Sequence, residues 1–205
     1  MSEAISKFTI GKLDAARRQL DTAIDDWFCG GDPVVVHTLA CAAYEIIHAL
    51  SLKRNPNRRD LLFDNDNIKD EHRKEWNDLL RKPWNFFKHA DRDGDSVIEF
   101  DPRQSEGFIL FSIIGIGLCG ERINTVESAW TMWLQVQHPE FLTEKGRKFF
   151  AENVPVDSLD QAKRMSREEF FHGFCDASHM IAAGNAPPGR PLPHQRRTFR
   201  IRGDG

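Results

Sequence analysis

Arg81, Asn85 and His89 stand at positions i, i+4 and i+8 of the run Arg81-Lys82-Pro83-Trp84-Asn85-Phe86-Phe87-Lys88-His89. On a helix turning 100° per residue they share one broad polar stripe, opposite Trp76, Leu80 and Phe87. Histidine can carry a proton near neutral pH, and arginine can neutralise charge developing on a phosphate. The trio therefore has the groups of a phosphodiester-cleaving site, with Asn85 orienting the imidazole or the phosphate. Asp78, Lys82 and Lys88 flank the stripe as candidate binding residues, Lys88 assisting phosphate contact. The plain alternative is an ordinary solvated helix face.

Two other patterns touch metal chemistry. Asp91-Arg92-Asp93-Gly94-Asp95-Ser96-Val97-Ile98-Glu99-Phe100 resembles the first two-thirds of an EF-hand loop. Ser96 replaces the glycine of the sharp turn, and Pro102 stands where the bidentate Glu belongs, so an acidic turn between helices is expected instead. Glu45-Ile46-Ile47-His48 and Glu169-Phe170-Phe171-His172 both read ExxH, the spacing of di-iron carboxylate bundles. The helical wheel sets His37, Cys41, Glu45 and His48 opposite Leu39, Ile46 and Leu50, away from the expected core. It likewise sets His172, Asp176 and His179 opposite Phe170, Phe174 and Ala177. Ser166 and Glu169 also form a capping-box pair, which gives Glu169 a structural role. No metal site and no cofactor are expected.

Cysteines 29, 41, 119 and 175 are scattered without CxxC spacing, so a zinc ribbon, a redox motif and a dense disulfide framework lack support. There is no P-loop, no GxGxxG after a strand and no GxSxG elbow. The 205 residues are 40% hydrophobic and 29% charged, with a formal net charge of −3, the composition of a globular domain. The N-terminus has no signal-peptide pattern. The longest apolar run, Gly107 to Gly120, contains four glycines and falls short of the roughly 20 residues that cross a bilayer. A cytoplasmic protein without a membrane partner is expected.

The elements that would position these residues are helical almost throughout. Helix one is expected from about Ile5 to Phe28, with Leu13, Leu20, Ala23, Ile24 and Trp27 inward, ended by Gly30 and Gly31. Asp32 caps and Pro33 opens helix two, which reaches about Leu52 with Val35, Leu39, Ala42, Ala43, Ile46 and Leu50 on one side. Helix three spans about Asp70 to Ala90, with Trp76, Leu79, Leu80, Pro83, Phe87 and Ala90 on its apolar side. Pro83 should kink or split it. Helix four, about Arg103 to Cys119, is apolar nearly all round and should be central. A Trp-bearing helix follows near Val126–Gln137, then shorter ones near Phe141–Asn153 and Ser158–Arg164, and a last one from Ser166 to about Ala183.

The opening helix, the segment Ala42-Ala43-Tyr44-Glu45 and the run from Asn85 to Asp91 resemble an uncharacterised bacterial family of small helical proteins, over roughly the first 120 residues. More distantly, a polar residue shortly before a histidine in a four-helix arrangement is similar to HEPN domains. That resemblance implies helical bundles, often dimeric, found in toxin–antitoxin and phage-defence systems, many of them metal-independent ribonucleases. Asn85 and His89 match the polar residue and the histidine of the motif. Trp84 occupies the arginine's place, and Arg81 lies farther upstream.

The expected fold is all-α: an antiparallel four-helix core over 1–120, a helical extension over 121–183 packed on it, and a disordered basic tail over 184–205. The tail carries Arg190, Arg196, Arg197, Arg200 and Arg202, which would either serve simply to keep the chain in solution or attract RNA or an acidic partner weakly. The functional expectation is a HEPN-like module that binds, or cleaves, RNA or a nucleotide. The alternatives are a non-catalytic module that dimerises or docks a partner through Trp130 and Trp133 or the Tyr44/His48 face, and a metal-binding helical bundle.

Overall fold

The computed structural model describes residues 7–57, 61–89, 94–154 and 156–184. Asp91 and Asp93, of the expected acidic turn, and the tail from residue 185 onward lie outside them. Among the described residues the chain is all-helical and has no strand. The α-helices are α1 (Lys12–Phe28), α2 (Pro33–Arg54), α3 (Asp70–Lys88), α4 (Gln104–Leu118), α5 (Thr125–Gln137), α6 (Glu144–Asn153), α7 (Val156–Arg164) and α8 (Arg167–Ala182). Short 3-10 turns occur at Leu62–Asp64 and Pro139–Phe141.

The chain divides into two compact units. One comprises the residues up to Ala23 together with Asp32–Cys119; the other comprises Ile24–Gly31 and the chain from Gly120 onward. The last turn of α1 thus belongs with the C-terminal half of the sequence.

In the first unit α2 packs most extensively on α4. His37 meets Ser105 and Ile47 meets Gly115, a constant offset along the sequence, so the two helices run in the same direction. α2 starts where Asp32 and Pro33 place it, with Asp32 Oδ1 accepting from the Val34 amide at 2.7 Å. Its length and composition would also suit a membrane crossing, and 44% of its apolar window is buried inside the protein.

The inward face of α2 differs from the expected one. Val36, His37, Ala40, Cys41, Ala43, Tyr44, Ile47 and Ser51 are buried, while Leu39, Ala42, Ile46 and Leu50 are half-buried and Val35 is exposed. A helix that is apolar nearly all round has no periodicity to aim it. Small residues aim it instead: a Cβ on Gly115 would come within 2.5 Å of Ile47 Cγ2, so only glycine permits this approach of α2 to α4.

Three further expectations are corrected. α1 begins at Lys12, and residues 7–11 precede it without helical structure. α3 runs unbroken from Asp70 to Lys88 through a buried Pro83, so it is not split there. Leu79, expected inward, is 60% exposed, while Trp84 on the opposite side is buried. Leu61, Leu62 and Phe63 are buried as well, and no helical pattern marks them.

In the second unit an aromatic cluster forms the core. Trp27 packs edge-on against Trp130 and Trp133, and Phe28 stacks on Phe171 with ring centres 4.7 Å apart. Trp133 meets Phe170 at 5.1 Å. Trp130 is 1% exposed and so is spent on this core, while Trp133 is half-buried. Capping boxes open α5, at Asn124 and Glu127, and α8, at Ser166 and Glu169 as expected.

Candidate functional site

The last turns of α3 carry the stripe singled out by spacing, and its residues have different surroundings. The Arg81 guanidinium turns inward and lies 4.1 Å from the centre of the Phe63 ring. Asn85 is exposed on the helix surface. His89 is also exposed and sits beyond the helix end, in extended backbone at φ −127 and ψ 131. Lys82 is exposed, and Lys88 places its ammonium 3.8 Å from the centre of the Trp84 ring. Asp78 pairs with Lys74 at 2.6 Å. Acids in the first turn and a lysine in the last match the helix dipole, which accounts for much of this charge order structurally.

Arg81 enters a polar seam that sequence reasoning missed. The short turn Leu62–Asp64 is tied down from two sides. From α2, the Tyr44 hydroxyl accepts from the Phe63 amide at 3.2 Å, and His48 hydrogen-bonds Asp64. From α3, Trp76 Nε1 donates to the Leu62 carbonyl at 3.0 Å and Asn77 Nδ2 to the Phe63 carbonyl at 3.2 Å. The Phe63 ring packs edge-on against Tyr44 and His48 and receives Arg81 on its face. The only early sign of this seam is the apolar triplet Leu61-Leu62-Phe63 inside a polar stretch.

Glu45 sits half-buried at the edge of the seam. Burial raises its carboxyl above the ordinary value, and the nearby Lys88, Arg81 and His48 oppose that rise. Burial likewise pushes the Tyr44 phenol up. The seam thus combines an imidazole–carboxylate pair, a second carboxyl and two cations. Chemically it can hold protons and bind an anion, but the His48 side chain is only 14% exposed, and Arg81 is committed to Phe63.

A second constellation lies deeper. His37 Nδ1 is 3.1 Å from Ser105 Oγ, and its Nε2 is 3.4 Å from Cys41 Sγ. In outline this is a thiol–imidazole–hydroxyl relay, but its electrostatics oppose nucleophilic chemistry. Burial lowers the His37 pKa to about 4 and pushes the Cys41 thiol well up, so neither imidazolium nor thiolate forms near neutrality. All three residues are at most 1% exposed. The expectation that His37 and Cys41 point away from the core is therefore overturned: they satisfy one another between α2 and α4.

The α8 stripe behaves as expected, with His172, Asp176 and His179 exposed. Among the described residues no group of three or more His, Cys, Asp or Glu side chains could hold a metal ion. A shallow groove beside the first half of α3 has an apolar floor of Ile68, Trp76 and Leu79 under Lys69, His72 and Glu75. It does not include Arg81, Asn85 or His89.

The class these features define is an all-helical protein whose interior polar groups are only partly paired: among the described residues Gln19 Oε1, Asn77 Oδ1, Trp84 Nε1, Ser112 Oγ and Trp130 Nε1 are buried without a hydrogen-bond partner. No family model, no curated protein and no solved structure matches the chain.

Proposed function

We propose that the protein is a non-catalytic helical interaction module that docks another protein through an apolar side of its second unit. One observation carries this reading. Across Pro139–Phe141, α6 and α7 no described residue is buried, while Phe141 is 71%, Phe149 54% and Val156 70% exposed. An amphipathic helix gains its stability by burying its apolar face, and this stretch keeps Phe141 and Val156 largely exposed while Leu142, Phe150 and Leu159 are only half-buried, which leaves apolar area for a partner to cover.

A photo-crosslinking residue placed at Phe149 should give a discrete protein adduct in cells that is lost in Phe141→Asp. The same residue at Lys145 should give none. Equal adducts from both positions, or none from Phe149, would remove this reading.

A second reading is a HEPN-like four-helix module that binds RNA or a nucleotide at the basic end of α3. Lys82, Asn85, Lys88 and His89 are all exposed, and no acid occurs between Leu79 and His89. Fluorescence anisotropy with single-stranded RNA should then show binding that weakens steeply with salt and with Lys82→Glu. Cleavage in EDTA that disappears in a folded His89→Ala variant would raise the module to a ribonuclease. RNA left unbound by the wild type ends this second reading.

A further inference from the structure

The outer side of α8 is uncovered, and the segment that follows α8 in the chain is complementary to it. At 100° per residue Glu168, Glu169, His172, Asp176, His179 and Met180 fall within about 120° of one another, and all six are exposed. From Glu168 to Gly184 the sequence has no lysine or arginine. The last turn is apolar as well, with Met180 45% and Ile181 43% exposed. At its other end this side opens into a groove of about 590 Å³ between α7 and α8, lined by Asp157, Asp160, Gln161, Arg164, Met165 and Glu169.

Most of these carboxylates are uncommitted. Among the described residues Asp157, Asp160 and Asp176 have no ion pair, and Glu168 meets His172 at 3.9 Å. Glu169 is spent on capping Ser166. Asp25, at the end of α1, adds to the same field. It acts with Asp176 on the Cys175 thiol, and with Glu168 and Asp26 on the Cys29 thiol.

We infer that this side of α8, with its groove, is the docking surface of the chain's own segment 190–202, running back from Gly184 toward α7. Charge points to that occupant. The segment carries Arg190, Arg196, Arg197, Arg200 and Arg202 and no acid, against a helix side with no lysine or arginine. Apolar residues match too: Leu192, Phe199 and Ile201 lie among the arginines as Met165, Met180 and Ile181 lie among the carboxylates. The negative end of the α8 dipole stands where the segment sets out, which favours its first arginine there.

Reach agrees with charge. α8 has 16 residues and is about 24 Å long. The 12 residues from Asn185 to Arg196 span up to roughly 40 Å when extended, so the last four arginines reach the groove with slack. A tether of this kind holds the segment at about millimolar effective concentration, so a contact of about millimolar affinity is occupied about half the time. A separate basic peptide in dilute solution lacks that advantage. The surface does not include Phe141 or Phe149, and the inference does not rest on the docking reading above.

Photo-cross-linking of the purified full chain at about 5 µM, far below the effective concentration of the tether, tests the inference. A photo-crosslinking residue at position 199 should join residues 25–29 or 157–183 of the same chain, in a monomeric adduct mapped by mass spectrometry. The yield should fall at least about fivefold in about 1 M salt, where exposed charges are screened. It should fall as far in Asp157→Lys/Asp160→Lys/Asp176→Lys. If that variant fails to fold, Arg196→Glu/Arg197→Glu/Arg200→Glu alters only the segment and should lower the yield equally. Adducts found only in dimers would make a second copy the occupant and overturn the inference. So would adducts mapping elsewhere, no adduct at all, or a yield unmoved by salt or by charge reversal.

Discussion

The guanidinium of Arg81 lies 4.1 Å from the centre of the Phe63 ring. This one contact turns the strongest cation of the candidate stripe from a phosphate-facing group into a clamp on the turn that precedes α3. It also shows what spacing leaves open: i, i+4, i+8 gives the side of a helix on which a side chain starts, and a long arginine can end elsewhere.

Arg81→Ala should therefore cost stability, by about 1 kcal/mol from the cation–π contact and the packing of the aliphatic stem. Urea unfolding measures it. Lys82→Ala, one position along and exposed, should change stability by less than about 0.5 kcal/mol. Equal, negligible effects would show that the Phe63 contact contributes nothing.

Gly115 has a sharper requirement. Because a Cβ there would lie 2.5 Å from Ile47 Cγ2, Gly115→Ala should destabilise by about 1–3 kcal/mol. Ile47→Ala removes the obstructing methyl, so the double variant should be more stable than the sum of the two single changes implies. Additive losses in thermal or urea unfolding would mean that the two helices simply move apart.

His37 gives the protein a calculable sensitivity to acid. Burial keeps the folded imidazole neutral until about pH 4, whereas in the unfolded chain it titrates near the model value of 6.5. Between these values the unfolded state holds the extra proton, so stability falls as pH drops through that window. The loss should be about 2 kcal/mol between pH 7.5 and pH 5. His37→Asn should be less stable at pH 7.5 but show a flatter pH dependence. An unchanged slope in that variant would place the acid sensitivity elsewhere.

The four thiols should react in the order of their exposure. Cys29 is exposed, Cys175 half-buried, and Cys41 and Cys119 buried. A thiol-specific reagent on native protein should label Cys29 first, Cys175 slowly, and Cys41 and Cys119 only on unfolding. Nearby Asp25, Asp26 and Glu168 add to burial in holding the Cys29 thiol up, so even its reaction should be slower than that of a free cysteine. Rapid native labelling of Cys41 would contradict the closed relay between α2 and α4.

Local chemistry in the sequence determined where some of the helices start and stop. Asp32-Pro33, Ser166 with Glu169, and Gly30 at φ +74 act within a few residues of themselves, so their effects are legible without the fold. The direction of each helix was decided by tertiary structure. α2 and α4 are apolar nearly all round, and a uniform surface has no preferred inward side. The choice fell to the close approach at Gly115 and to the partners that His37, Cys41 and Ser105 find in one another. The same reason hid the seam around Phe63: its hydrogen bonds join α2, a short turn and α3, residues up to 33 positions apart that only packing brings together.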